Sequence, residues 1–160
     1  MIIRQVEIKD LPALLKIENA GFTPEEAATE AAFRERIENI PDTFFVAVED
    51  GQVVGLINGP IVNVRYISDD LFETVPPNPR FGGHQTVLGV AVAPEQQGKG
   101  IASKLLKHLE DGARKAKRET VTLTCRAELI SFYEKLGYKN EGKSQSEHGG
   151  IEWYNLVKEL

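Results

Sequence analysis

The residues best suited to chemistry form one stretch: Val90-Ala91-Val92-Ala93-Pro94-Glu95-Gln96-Gln97-Gly98-Lys99-Gly100-Ile101-Ala102. An apolar, strand-like run ends at a proline, a glycine-rich turn follows, and a basic amphipathic segment begins. The first amides of a helix have no partner inside it and point outward. Glycines let such amides approach a ligand closely, and the helix dipole adds positive potential at the same spot. The chemistry this implies is a phosphate cradle. No Lys-Ser or Lys-Thr pair follows the second glycine, so it is not a nucleotide P-loop, and the Gly-x-Gly-x-x-Gly spacing of a dinucleotide turn is absent.

Other reactive side chains are scattered. Tyr133 shares a helical face with Leu129, Phe132 and Leu136, the usual setting of a core tyrosine whose hydroxyl reaches the edge. His84 stands beside Gly82 and Gly83 and is of the residue type most used for proton transfer. His84, His108 and His148 show no ligand spacing, so no metal is expected. Ser131 has no His or Asp at a spacing that suggests a hydrolase triad. Cys125 is the only cysteine, which rules out an intramolecular disulfide and makes a reducing cytosol the expected setting.

The elements that must position these residues alternate between strand-like and helix-like patterns, so the expected class is α/β or α+β. At 160 residues, 41% hydrophobic and 27% charged, the chain has the size and composition of one globular domain. Ile2–Ile8 alternates like a strand. Asp10 is placed to cap a helix that Gly21 stops, and Thr23-Pro24-Glu25-Glu26 reads as a capping box opening a second helix to Asn39. Thr43–Val48 and Gln52–Gly59 flank Asp50-Gly51, a hairpin signal. From Pro60 to Gly83 a long, proline-rich loop is expected to form the rim of a site. His84–Val92 is a strand in which Gly89 suggests a bulge or a ligand close to the backbone. A helix over Gly98–Lys117, a strand Glu119–Cys125, a helix Ala127–Leu136 and two last strands, Tyr138–Lys143 and Ile151–Val157, complete the pattern.

Net charge is −5, with 7 basic and 14 acidic residues before position 87 and 12 basic and 10 acidic after it. That balance disfavours nucleic acid and suits an anionic ligand in the second half and a cationic one in the first. The uncharged stretches are too short to span a bilayer, and Met1-Ile2-Ile3-Arg4 lacks the layout of a signal peptide. No membrane or nucleic-acid partner is expected.

Gln97-Gly98-Lys99-Gly100-Ile101-Ala102 fits the [Arg/Gln]-x-x-Gly-x-[Gly/Ala] element of the GNAT N-acetyltransferase superfamily, and Phe132-Tyr133-Glu134-Lys135-Leu136-Gly137-Tyr138 resembles its other recurrent segment. Within that superfamily, Gly82-Gly83-His84, Val90-Ala91-Val92, Gln96-Gln97-Gly98-Lys99-Gly100 and the Cys125-to-Tyr133 spacing most resemble the arylalkylamine (serotonin-type) branch. The paired histidines of that branch fall at Thr86 and Leu88 here, so its water-relayed proton exit is not preserved.

The resemblance implies a mixed, mostly antiparallel central sheet with splayed parallel strands, His84–Val92 and Glu119–Cys125, flanked by about four helices. It implies acetyl-CoA, its pyrophosphate on the amides of Gln96, Gln97, Gly98, Lys99, Gly100, Ile101 and Ala102, and its pantetheine arm along Val90 and Val92. Lys104, Lys107 and the Arg114–Arg118 cluster are candidates for the outer phosphate. The amides of Val90 and Ala91 are candidates for an oxyanion, Tyr133 for the general acid beside the CoA sulfur, and His84 for the base, with Glu18, Glu128 or an ordered water as the alternatives. Phe22, Pro24 and Tyr66 are expected around the acceptor, with Thr124, Cys125 and Arg126 at the end of their strand. The implied reaction is acetyl transfer to a primary amine of a small molecule, such as an arylalkylamine or polyamine, or of a protein. A non-catalytic acyl-CoA sensor on the same fold is the alternative. The strand from Trp153 to Val157 is a candidate dimer contact.

Overall fold

The computed structural model describes residues 1–160. Its strands and helices follow in the order β1 (Ile2–Gln5), α1 (Leu11–Gly21), α2 (Glu30–Asn39), β2 (Phe44–Glu49), β3 (Gln52–Asn58), β4 (Ile61–Val62), β5 (His84–Val87), β6 (Gly89–Val92), α3 (Ile101–Lys115), β7 (Thr120–Cys125), α4 (Ile130–Lys135), β8 (Lys139–Lys143) and β9 (Tyr154–Glu159). Asp50 and Gly51 both take positive φ, 50° and 77°, the primed-turn geometry that matches strand twist, and Glu49 pairs with Gln52 across that turn.

The expected mixed α/β fold with four helices is present, but the strands hydrogen-bond as two sheets. One has the order β1-β2-β3-β6 and the other β4-β5-β7-β9-β8. The strand expected over His84–Val92 is what joins them. Its first half runs parallel to β7, with Val87 opposite Leu123, and its second half runs antiparallel to β3, with Gly89 opposite Asn58. Between them the Leu88 N–H donates to the Asn58 carbonyl at 2.8 Å. At that residue the strand changes neighbours, and β6 leaves β7.

Successive strand residues face opposite sides, and the helices cover both. Leu56 and Ala91 face Leu14, Ile17 and Phe33 of α1 and α2 in one core. Ile57 and Val87 face Leu105, Leu109 and Ala113 of α3 in the other, together with Tyr133 and Tyr138. Glu110, buried on α3, accepts from Tyr138 Oη at 2.6 Å and from Lys158 Nζ at 3.0 Å, which ties α3 to β9 through polar groups satisfied inside the core.

Three local expectations are corrected. Asp10 does not cap α1; its carboxylate turns back to Arg4 (2.8 and 2.9 Å) and to the Glu7 N–H (2.8 Å). The second helix starts at Glu30, with the Thr29 hydroxyl accepting from the Ala32 N–H at 3.1 Å. Thr23 and Glu26 do bond to each other, but Glu26 is also drawn to Arg126 and the Ala28 N–H is taken by Glu18, so residues 23–27 form a turn. Finally, β9 lies between β7 and β8, both of its edges paired, so it has no free edge to offer a second copy. No helix is long and apolar enough to cross a membrane.

The change of neighbour at Leu88 depends on a close approach. A Cβ added at Gly59 would lie 2.0 Å from the Thr86 carbonyl oxygen, backbone against backbone. Gly59→Ala is therefore expected to destabilise the protein by about 3 kcal/mol, the upper range of overpacking, read as a lower urea midpoint at unchanged m-value.

Candidate active site

Parting β6 from β7 leaves main-chain groups without sheet partners. The Ala93 N–H donates to the Val54 carbonyl at 2.8 Å, and Val92 pairs with Gly55 and Val90 with Ile57. Since hydrogen-bonded and non-bonded positions alternate along an antiparallel ladder, Ala91 and Ala93 turn their polar groups to β3, and Val90 and Val92 turn theirs toward β7. The side-chain amide of Gln97 reaches the Val92 carbonyl at 3.2 Å, as a carbonyl outside the sheet permits. The Ala91 amide, in contrast, is committed to β3, which removes it as an oxyanion donor.

Beyond β6, a single 3-10 turn (Pro94–Gln96) leads into the glycine turn. Gly98 and Gly100 take φ of 81° and 77°, and a Cβ at either would meet no atom within 4 Å. These glycines serve the backbone path rather than tight packing. Gly100 is the N-cap of α3 with no side-chain cap. The N–H groups of Gly98, Lys99, Gly100, Ile101, Ala102 and Ser103 all lack an acceptor in the protein. Six consecutive unpaired donors at the head of a 15-residue helix form an anion site in chemical terms. Gln96 is drawn off to Lys99 Nζ at 2.9 Å through its side chain, and its own N–H bonds Ala93. In the basic run beyond, Arg118 is spent on the Gly82 carbonyl and Lys107 and Arg114 on Asp111, leaving Lys104, Lys115 and Lys117 exposed and free.

At the other end of β6 lies a cavity of about 490 Å³. Its floor is the parted strands: Val87 to Val90 on one side and Leu123 to Cys125 on the other. Tyr133 reaches it from α4; the residue is 6% exposed, and its hydroxyl has no hydrogen-bond partner in the protein. Phe132 and Tyr138 hold the ring edge-on, with centroids at 5.0 and 5.9 Å. Burial, then the neighbouring Cys125, raise the Tyr133 hydroxyl above the ordinary tyrosine range. Burial, with the charge of Glu128 second, pushes the Cys125 thiol up to about 12, so it stays protonated at neutral pH.

The opposite wall brings in Glu18, one of the candidate bases, together with residues that the sequence did not mark for it. Glu18, at the end of α1, is buried; Oε2 accepts from the Ala28 N–H at 2.9 Å, and its other oxygen has no protein partner. Burial raises its pKa, outweighing that hydrogen bond and the field of Arg36. For Glu26 burial also acts upward, but hydrogen bonds from Arg126 and Thr23 outweigh it and hold the carboxyl below the usual range. Phe72 stacks on His148 at 4.1 Å, and Trp153 Nε1 donates to the His148 carbonyl at 2.7 Å. His148 Nε2 in turn meets the Glu26 carbonyl at 2.8 Å. These three aromatic side chains close the end of the cavity that Phe22 and Pro24 begin.

Of the residues singled out from sequence, Phe22, Pro24, Val90, Thr124, Cys125 and Tyr133 line this cavity. His84 does not. It sits at the start of β5, three residues before Val87 and about 10 Å away along an extended strand, with Nδ1 on the Thr120 hydroxyl at 2.8 Å and Nε2 facing Glu119. Tyr66 is also elsewhere, its hydroxyl on Glu141 at 2.7 Å. Arg126 lies behind the wall, holding Glu26. The expected rim loop contributes Asp69, Phe72 and Glu73 rather than its prolines, because Glu35 and Asn39 of α2 bind Val75 and dock the later part of the loop away.

The sheet parting, the amide-rich turn and the cavity together define an acyltransferase fold and site. The chain belongs to the acetyltransferase (GNAT) family, whose model matches residues 11–138. An uncharacterised N-acetyltransferase of Methanocaldococcus jannaschii is 30% identical over 145 residues, covering 88% of this chain and 79% of the relative. Among solved structures, a GNAT-like decarboxylase, GphF, bound to isobutyryl-CoA superposes with TM-score 0.84 at 17% identity, covering 99% of both chains. The ribosomal-protein-alanine N-acetyltransferase of Brucella melitensis superposes with TM-score 0.74 at 22% identity over all of both chains. The chain is an N-acetyltransferase with acetyl-CoA as its acyl donor, and the residues present fit that group: unpaired amides for a diphosphate and an unpaired strand edge for an amide-bearing arm.

The left-handed turn is directly testable. Gly100→Ala is expected to weaken CoA binding about tenfold through the 1–2 kcal/mol cost of that backbone conformation, and Gly100→Asn clearly less; calorimetry with CoA measures both.

Proposed function

We propose that this enzyme acetylates a small primary amine with an aromatic or apolar body, with Tyr133 as the general acid and Glu18 as the general base. The observation that carries the reading is that β6 leads without interruption from six unpaired amides to a cavity where the free hydroxyl of Tyr133 and the free carboxylate oxygen of Glu18 both open.

Acetyl-CoA supplies an acetyl group activated as a thioester. Gly98 to Ser103 hold its diphosphate, and Val90 and Val92 hold its amide-bearing arm as a strand would. That leaves two proton tasks to the protein. The acceptor arrives as an ammonium ion, drawn by Glu25, Glu26, Asp69 and Glu73 around the cavity. Glu18 takes one proton, freeing the nitrogen lone pair that forms the new N–C bond. Tyr133 gives one proton to the sulfur as the C–S bond breaks, and the second proton leaving the nitrogen restores its hydroxyl. A hydroxyl held protonated by burial suits a donor, and a carboxyl with a raised pKa suits a base working near neutrality. The Val90 N–H, directed away from β3, supports the charge that develops on the carbonyl oxygen.

The acceptor side favours an arylalkyl body, because Phe22, Phe72, His148 and Trp153 offer aromatic faces and edges to it. His84 has no place in this scheme, since its strand position keeps it from the cavity.

Tyr133→Phe is expected to lower kcat at least about tenfold, within the range of general-acid effects, with CoA affinity unchanged; turnover equal to wild type would remove the acid role. The raised pKa of Glu18 predicts a rate that falls as the pH drops through a value above the ordinary glutamate range. Glu18→Gln should lower kcat about a hundredfold and abolish that acid limb, as read from kcat against pH with a saturating amine.

A further inference from the structure

Arg36 stands out on the wall of the cavity. It is 3% exposed, projects from α2, and lines the same space as Glu18 and Tyr133. Its hydrogen bonds go to two neutral acceptors, Asn58 Oδ1 at 3.2 Å and the Phe72 carbonyl at 3.1 Å. It forms no ion pair with any carboxylate; Glu18 and Glu35 are near enough to act on it through space but accept no hydrogen bond from it. Burial lowers its pKa to about 10, so it still carries its charge at neutral pH. Removing one partner of a buried charge is strongly destabilising, and buried arginines are ordinarily paired. Beside it, the Nδ2 group of Asn58 is buried with no acceptor, the carbonyl end of that amide being held by Arg36.

A cation that no carboxylate touches thus faces the cavity from a wall rich in carboxylates, with the unsatisfied amide of Asn58 buried behind it. A positive charge there would repel the ammonium ion that Glu25, Glu26, Asp69 and Glu73 attract, unless the acceptor brings its own negative group. A guanidinium fork matches a carboxylate in both geometry and charge. The separation of charges on the wall, Glu18 for an amine and Arg36 for an acid, matches an acceptor that carries both.

We propose that the acceptor is a free α-amino acid with an aromatic or apolar side chain, its carboxylate held by Arg36 and its amino group presented to Glu18. This rests on the acetyl-transfer reading above and narrows it. A peptide N-terminus lacks the carboxylate and leaves Arg36 unanswered, as does a simple arylalkylamine.

The test compares three acceptors that differ at one group, L-phenylalanine, L-phenylalaninamide and phenethylamine, by CoA thiol release, with product mass as confirmation. Phenylalanine is expected to exceed both others in kcat/KM by at least about thirtyfold, since a site built for a charged partner rejects the analogue lacking it. Arg36→Met should erase that preference, so that the three acceptors are used with kcat/KM values within about threefold of one another. Asn58→Asp, of equal size, satisfies Arg36 from within and should erase the preference in the same way, which covers the case in which Arg36→Met fails to fold. Equal or better use of phenethylamine by the wild type overturns the proposal, as does an equal loss for all three acceptors in both variants. If amines are acetylated and Tyr133 matters but no carboxylate preference exists, only this inference fails. If no thiol is released with any amine, the acetyl-transfer reading fails with it.

Discussion

The parting of β6 from β7 at Leu88 is the constraint on which the rest of the structure depends. A buried strand must satisfy its main-chain polar groups, and this one does so with two different neighbours in succession: β7 for its first half and β3 for its second. The exchange is possible because Gly59 lets the backbone of β3 pass against Thr86 at a distance no side chain would permit. Once the strands separate, the outward groups of Val90 and Val92 have nothing to bond except a third extended chain. An edge inside a fold is usually a liability; here it is short, flanked by helices, and shaped for a ligand that carries amides of its own.

The same break explains why so much of the chemistry converges. A cavity opens where two parallel strands diverge, so residues at the C-terminal end of β7 and the middle of β6 face one space. Tyr133 enters it because α4 follows directly after β7 and packs its apolar face on Tyr138 and Leu136. The far wall is built by the link between the first two helices, drawn inward by Glu18 on the Ala28 amide and by Arg126 on Glu26. One aromatic stack, Phe72 on His148, then ties the loop after β4 to the loop before β9. The acceptor end is therefore made by four segments distant in sequence, and no one of them defines it.

Electrostatics divides the site into two halves with different physical means. At the cofactor end the positive potential comes from main-chain donors and a helix terminus, which cannot be titrated away and suit a doubly charged diphosphate without a fixed cation. Lys107 and Arg114 of α3 answer to Asp111 instead, and Arg118, just beyond the helix, to a carbonyl. At the acceptor end, side-chain carboxylates dominate, with Glu18 raised by burial and Glu26 held low by its hydrogen bonds. Two glutamates eight residues apart thus hold protons differently because one lies in a dry wall and the other on an arginine.

The amino-acid sequence alone determined the features that rest on local rules. Those are the glycine turn ahead of a basic amphipathic helix, the Asp50-Gly51 hairpin, the strand and helix alternation, and Tyr133 on an apolar helical stripe ending at Gly137. Each follows from backbone freedom or periodicity within a dozen residues. Other features needed the tertiary structure, because they depend on which segments meet. The start of α2 moved to Glu30 when Glu26 found Arg126 and Glu18 took the Ala28 amide, partners 100 and 10 residues away. Of two residues chemically plausible by type, His84 was set at the start of β5 by strand register, and Tyr66 was held in the loop after β4 by Glu141. Glu18, Arg36, Phe72, His148 and Trp153 carry no local pattern that distinguishes them from surface or core. Their importance arises only because the folded chain buries charge and aromatic surface around one space, and burial is a property of neighbours that no short stretch of sequence contains.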